Sequence, residues 1–256
     1  MTARTVLITG GSSGIGAAAV RRFAAAGDRV WFTYRSGKDR AEQLVTEVGG
    51  RAFAFDQGDP DSHRSLLEEL PGPVDVLVNN AGLGSKTVES YAPGDTREQD
   101  LALLRVDGLG PLWITQDLLP GMIGQGRGAV IFVASVGGGI NQFPGFRHAD
   151  GMAKAAVAYL TRHLAAELVH SPVDVFGICP GAVETPMFAA STLDGLDPDE
   201  RAKLEHRLPK GRLIQAAEIA EVLWWLSTPA ARVLHGAVLD ASMGLGVHPG
   251  LLTGGS

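Results

Sequence analysis

Residues 5 to 20 constrain this chain more than any other stretch: Thr-Val-Leu-Ile-Thr-Gly-Gly-Ser-Ser-Gly-Ile-Gly-Ala-Ala-Ala-Val. The β-branched and apolar run Thr5 to Thr9 reads as a buried strand, and Gly10, Gly14 and Gly16 carry it into an alanine-rich helix. A helix that starts this way presents unpaired backbone N–H groups and the positive end of its dipole, so it holds a phosphate without a basic side chain. Glycine is required because a Cβ would block both the turn and the approach of a pyrophosphate. With 34 glycines in 256 residues, three at these offsets arise by chance roughly 0.6 times, so the spacing alone does not make a dinucleotide site. Its setting does: helix signals fill Ala17 to Ala26, and Gly27 leads into a second strand, Arg29 to Tyr34.

Strand-like runs alternate with helix-like segments to the end of the chain. Strands are predicted at 5–9, 29–34, 51–55, 74–78, 128–134, 173–178 and 236–240, and helices at 15–26, 38–48, 61–69, 97–123, 150–170 and 216–227. This alternation predicts an α/β class, doubly wound Rossmann fold: a seven-stranded parallel sheet with helices on both faces. No linker, repeat or low-complexity tract interrupts it, so residues 1–256 read as a single domain, with a glycine-rich tail at 245–256.

The formal net charge of −6 argues against nucleic acid or an anionic membrane as partner. Cys179, the only cysteine, forms no internal disulfide, and no signal segment precedes the first strand, so the expected compartment is cytoplasmic. No apolar run approaches a membrane span. His63, His163, His170, His206, His235 and His248 show no metal-ligand spacing, and no metal is expected. Trp224 and Trp225 read as core or subunit contact.

The second strand ends in Thr33-Tyr34-Arg35-Ser36, where many NAD-binding chains carry an Asp or Glu for the ribose hydroxyls. Here Arg35 suits a 2′-phosphate, making NADP(H) the expected cofactor ahead of NAD(H). The third strand ends in Asp56-Gln57 and the fourth in Asn79-Asn80-Ala81-Gly82, both at the carboxyl edge of the sheet, where open α/β sheets bind ligands.

Thr9-Gly10-Gly11-Ser12-Ser13-Gly14-Ile15-Gly16, together with Asn79-Asn80-Ala81-Gly82, resembles the short-chain dehydrogenase/reductase family. So do Pro180-Gly181-Ala182-Val183-Glu184-Thr185-Pro186 after the sixth strand, Arg212, and Glu218-Ile219-Ala220 opening a helix. The resemblance covers essentially the whole chain. It implies a cofactor site built from Gly10, Ser12, Ser13, Gly14, Ile15 and Gly16, with Arg35 and Ser36. Asp56, Gln57, Asn80, Ala81 and Gly82 continue it, and Lys154, Pro180, Gly181, Val183 and Thr185 complete it. A small-molecule substrate and a homotetramer or homodimer, packed through the helices at 97–123 and 150–170, are implied as well.

The family's active site combines a Tyr, a Lys four residues later, an upstream Ser and an Asn. The Tyr moves the carbonyl proton, the Lys lowers its pKa and holds the nicotinamide ribose, the Ser orients the substrate oxygen and the Asn anchors a water relay. Ser135 and Lys154 match two of these positions. The residue four before Lys154 is Asp150, with no Tyr, and the Asn position is Asp107. Aspartate is shorter than a phenol, so it needs another group or a water to reach the same oxygen, and beside a lysine its ionised form is favoured. Two further readings are open: His148, 13 residues after Ser135, as a proton donor reaching in from the loop before the helix, and Asp150 as that helix's N-cap.

The loop 136–148 and the segment 187–212, the latter read as a mobile substrate lid, carry Phe143, Phe146, Met187 and Phe188, which suit an apolar or aromatic substrate. Three readings are open. One is an NADP(H)-dependent oxidoreductase of a carbonyl or alcohol with non-standard proton delivery. Another is a non-redox isomerase, cyclase or dehydratase using Asp150, Asp107 or His148. The third is a catalytically silent NADPH-binding protein.

Overall fold

The computed structural model describes residues 3–136 and 146–247. The strands are β1 (Thr5–Ile8), β2 (Arg29–Tyr34), β3 (Arg51–Ala54), β4 (Val76–Asn79), β5 (Gly128–Val133), β6 (Val173–Pro180), the two-residue strands β7 (Val183–Glu184) and β8 (Ile214–Gln215), and β9 (Val238–Ala241). Seven form one parallel sheet in the order β3-β2-β1-β4-β5-β6-β9, while β7 and β8 pair separately. The strand order reverses between β1 and β4, and the crevice that opens there at the carboxyl ends is where such sheets bind ligands.

The helices are α1 (Gly14–Ala25), α2 (Lys38–Val48), α3 (Pro60–Glu69), α4 (Thr96–Leu103), α5 (Gly110–Gly124), α6 (His148–Glu167), α7 (Pro186–Phe188), α8 (Pro198–Arg207) and α9 (Ala216–Leu226). Side chains alternate across the sheet into two cores. Val6 and Ile8 of β1 pack with Val20, Phe23 and Leu223, and Leu7 between them joins Leu77, Ile114, Val130 and Leu164 on the other face. Burial on both faces is why the strands read as nearly unbroken apolar runs. No described helix is long and apolar enough to cross a membrane.

Three elements depart from the sequence reading. The predicted helix 97–123 is interrupted by a π-helical stretch, Leu104–Leu109. Pro111 has no N–H with which to reach the Asp107 carbonyl in an α-helical ladder. The Gly110 N–H bonds instead to the Arg105 carbonyl, and the Gln57 amide reaches the Val106 carbonyl at 2.8 Å. The helix predicted from 150 starts at His148 with Arg147 as its N-cap, so Asp150 lies in the first turn and is not the cap. The segment 187–212 contains α8 and encloses a small apolar cluster of Leu193, Leu204, Leu208 and Leu213. A capping box of Asp197 and Glu200, with Pro198 at the first helical position, opens α8. Phe143, His248 and the tail beyond Val247 lie outside the described residues.

Candidate active site

The carboxyl ends of β1, β2, β3, β4, β5 and β6 enclose a cleft of about 520 Å³. Where β1 turns into α1, Gly10 and Gly14 adopt left-handed φ angles of 67° and 52°. A Cβ on Gly10 would stand 2.9 Å from the Ala81 Cα, and one on Gly16 would collide with the Gly10 carbonyl. These positions therefore admit only glycine. Thr9 fastens β1 to the end of β4: its hydroxyl accepts the Asn80 and Ala81 N–H groups at 3.0 and 2.9 Å, and the Asn80 amide donates to the Thr9 carbonyl at 3.0 Å. Ser13 is the N-cap of α1 yet makes no side-chain capping bond, and Ser12, Ser13, Gly14 and Ile15 all line the cleft. A helix start that begins on glycine turns and keeps its cap serine uncommitted fits a pyrophosphate.

Arg35, Ser36 and Asp56 line the cleft beyond the ends of β2 and β3, as do Arg40 and Tyr91, which sequence reasoning missed. Arg40 carried a signal in retrospect, a second arginine just past the end of β2; Tyr91 carried none. The Arg35 guanidinium lies 4.6 Å from the centre of the Tyr91 ring, and the Tyr91 hydroxyl donates to Asp56 Oδ1 at 2.9 Å. Burial, with the Asp56 carboxylate, pushes the Tyr91 phenol up to about 12, so it stays a donor. Gln57 is a partial correction: although it borders the cleft, its amide points inward to the Ala81 and Val106 carbonyls at 3.2 and 2.8 Å. Its side-chain amide N–H groups tie the ends of β3 and β4 to the π-helical stretch, and its carbonyl is bonded to His63 Nε2 at 3.0 Å.

Ser135, Asp150 and Lys154 line the opposite end, with Gly82 between the two ends and Pro180, Gly181, Val183 and Thr185 on the far wall. The π-helical stretch turns Asp107 inward until its side chain is fully buried, 3.2 Å from Lys154 Nζ through Oδ2. That contact is an ion pair without hydrogen-bond alignment, whereas Oδ1 accepts the Leu83 N–H at 2.7 Å. Burial raises the Asp107 carboxyl to about 6, with the Asp150 charge adding to the rise and Lys154 and the Leu83 N–H opposing it. Burial works to lower the Lys154 ammonium, but the Asp107 and Asp150 charges outweigh it and leave its pKa raised. A side chain on Gly82 would press on both partners, 3.1 Å from Nζ and 3.2 Å from Asp107 Oδ1.

Asp150 is buried, and its Oδ2 accepts both the hydroxyl and the N–H of Ser85, at 2.6 and 3.1 Å. Ser85, a second residue that no spacing signalled, itself lines the cleft and accepts the Arg147 N–H at 2.9 Å. His148, by contrast, is exposed at the start of α6 and is not among the cleft-lining residues, because a residue six before Lys154 on one helix faces elsewhere. Of the chain's three tyrosines, Tyr91 bonds Asp56, Tyr34 ends β2, and Tyr159 is exposed. Phe146, Met187 and Phe188 line the mouth beside Lys154 and Asp150. Among the described residues no cluster of three or more His, Cys, Asp or Glu side chains is arranged to hold a metal.

Residues 10–246 match the family model described as enoyl-(acyl carrier protein) reductase. The chain is 33% identical over 245 residues to 2-(R)-hydroxypropyl-CoM dehydrogenase of Xanthobacter autotrophicus, covering 92% of this chain and 96% of that one. It is 34% identical over 251 residues to cis-4-hydroxycyclohexanecarboxylate dehydrogenase of Sinomonas cyclohexanicum, covering 94% and 96%. A variant of actinorhodin polyketide ketoreductase with NADPH superposes with a TM-score of 0.85 at 29% identity, covering 95% of this chain and 97% of that one. The 3-ketoacyl-(acyl-carrier-protein) reductase of Brucella melitensis, complexed with NADH, gives 0.82 at 29% identity, covering 94% and 97%.

Proposed function

The chain belongs to the short-chain dehydrogenase/reductase family, and from that premise we propose that it is an NADP(H)-dependent oxidoreductase of a carbonyl or alcohol on a small apolar or aromatic substrate, with Ser85 and Asp150 carrying the proton. The observation behind this reading is the single cleft that holds a glycine-built phosphate end, two arginines at the adenosine end, and Ser135 and Lys154 at the other. Gly10, Gly14 and Gly16 would admit the pyrophosphate, Arg35, Ser36 and Arg40 the 2′-phosphate, and Lys154 the ribose on the nicotinamide side. Bound there, the dinucleotide supplies or accepts the hydride.

The chain's own residues handle the substrate oxygen. Ser135 orients it. Ser85 adds the reach that an aspartate lacks, since its hydroxyl lies in the cleft and already donates to Asp150 at 2.6 Å. In alcohol oxidation the substrate proton passes to Ser85 Oγ as the Ser85 proton passes to the Asp150 carboxylate; reduction runs the same transfers backward. Lys154 keeps a fixed positive charge beside the developing oxyanion. The apolar mouth formed by Phe146, Met187 and Phe188 supports an apolar substrate.

A titration of the protein with NADPH and with NADH, followed by calorimetry, tests the cofactor half of this reading. NADPH is expected to bind at least about ten-fold more tightly, and Arg35→Ala to remove most of that advantage, as befits a charge-assisted phosphate contact. Binding of neither dinucleotide would end the redox reading. For the proton half, Ser85→Ala is expected to lower turnover of a probe alcohol such as cyclohexanol with NADP⁺ by roughly 100-fold, with NADPH affinity within about two-fold. Unchanged turnover would remove Ser85 from the path.

A second reading has its own observation. Asp107, Lys154 and Asp150 form an acid–base group independent of any dinucleotide, with one carboxyl raised to about 6, which suits a non-redox isomerase, cyclase or dehydratase. Turnover that survives without NADP(H) would favour it. Self-association through α5 and α6 belongs to the reading as well, because Leu109, Met152 and Tyr159 near this helix pair are 41%, 60% and 67% exposed.

A further inference from the structure

We infer that Tyr91 sets the choice of dinucleotide by positioning Arg35. This rests on the NADP(H) reading and goes beyond it, because Tyr91 lies on neither the glycine turn nor the end of β2. The 3₁₀ turn Val88–Ser90 delivers Tyr91 to the rim of the cleft, where Arg35 and Asp56 also stand.

Each end of the tyrosine answers a separate problem. Arg35 is exposed and has no ion-pair partner among the described residues, so its long side chain would sample many orientations in water. The Tyr91 ring lies under its guanidinium at 4.6 Å and holds the cation by its π face, leaving the in-plane N–H donors for a phosphate. The second problem is Asp56. A carboxylate oxygen in this wall with no other donor would draw Arg35 to itself. The Tyr91 hydroxyl and the Gly58 N–H both donate to Asp56 Oδ1 at 2.9 Å, so that oxygen is held by two neutral donors rather than by the arginine. Position 58 accommodates this arrangement only as glycine, since a Cβ there would stand 2.6 Å from the Tyr91 hydroxyl oxygen.

Tyr91 is thus a positioning residue for the 2′-phosphate, acting through Arg35 and Asp56. NADH, which lacks that phosphate, gains nothing from it. This difference separates the role from a structural one, in which both dinucleotides would suffer alike.

The test is calorimetric titration of wild type, Tyr91→Leu, Tyr91→Phe, Arg35→Ala and the Tyr91→Leu/Arg35→Ala double variant with NADPH and with NADH. Tyr91→Leu is expected to weaken NADPH by roughly ten-fold and to leave NADH within two-fold. Tyr91→Phe, which keeps the ring but removes the hydroxyl from Asp56, is expected to fall between wild type and Tyr91→Leu for NADPH and to leave NADH unchanged. The double variant should bind NADPH no more weakly than Arg35→Ala alone, because the tyrosine acts through the arginine. Adenosine 2′,5′-bisphosphate against adenosine 5′-monophosphate should repeat the pattern without the nicotinamide. Equal losses for NADPH and NADH, no loss in Tyr91→Leu, or additive losses in the double variant would overturn the proposal while wild type still prefers NADPH. A wild type that binds neither dinucleotide, or prefers NADH, overturns the NADP(H) reading itself.

Discussion

Lys154→Ala is expected to lower turnover by about 10² to 10⁴-fold and NADPH affinity by about ten-fold, two losses from one side chain. The lysine is half-buried, its side chain 14% exposed, with Asp107 at 3.2 Å and the Asp150 charge near enough to raise its pKa. On the proposed reading it serves three groups, the substrate oxygen, the ribose and the Asp107 carboxylate, of which the structure shows the last. Removing it leaves Asp107 fully buried beside Asp150 with no cation, and the group responds by keeping its proton. The variant should fold, with the Asp107 titration moved above about 6 where burial already holds it in the wild type. Calorimetry with NADPH, turnover of a probe alcohol, and the pH dependence of chemical denaturation read the three consequences separately. Unchanged NADPH affinity would remove the lysine from the ribose. An unmoved pH dependence of stability would show that the Lys154–Asp107 pair is not the contact that governs Asp107.

Asp107→Asn is expected to stabilise the protein at pH 8 by up to about 3 kcal/mol and to leave it nearly unchanged at pH 4. The sign follows from a carboxyl raised from 3.8 to about 6 by burial. Between those values the folded chain holds a proton that the unfolded chain has released, so stability falls as pH climbs from about 4 through 6 and then levels. Asparagine resembles the protonated acid: it keeps an oxygen for the Leu83 N–H and carries no charge to bury. Urea denaturation of both proteins across this range is the measurement. A variant less stable than wild type at pH 8 would mean that the attraction of Lys154 exceeds the cost of burying the charge.

The site was legible in the sequence where a residue's role follows from its neighbours along the chain. Gly10, Gly14 and Gly16 lie within one strand–turn–helix unit, and Ser135 and Lys154 are the positions that the resemblance to the family's active-site pattern implies. Asp150 was legible as an anomaly, four residues before Lys154. Its partner was not, because Ser85 comes from the loop after β4, 65 residues away, and no local pattern marks it. His148 shows the reverse error. Its sequence distance from Ser135 suited a proton donor, but the helix begins at His148 itself and leaves it exposed.

By itself the sequence determined the elements and their layering, because the periods of apolar residues and the position of each glycine are properties of short stretches. Seven strands, two helical faces and a glycine-built turn between β1 and α1 follow from those alone. Three things waited for the tertiary structure. One is the π-helical break that turns Asp107 onto Lys154, which depends on Pro111 withholding an N–H and on Gln57 arriving from β3 to take the Val106 carbonyl. Another is the Ser85–Asp150 bond, and the last is Arg35 lying over Tyr91. Each joins residues distant in sequence, and in each the energy lies in desolvation and in the direction of a hydrogen bond or a ring face. Those quantities have no value until the chain has closed around them.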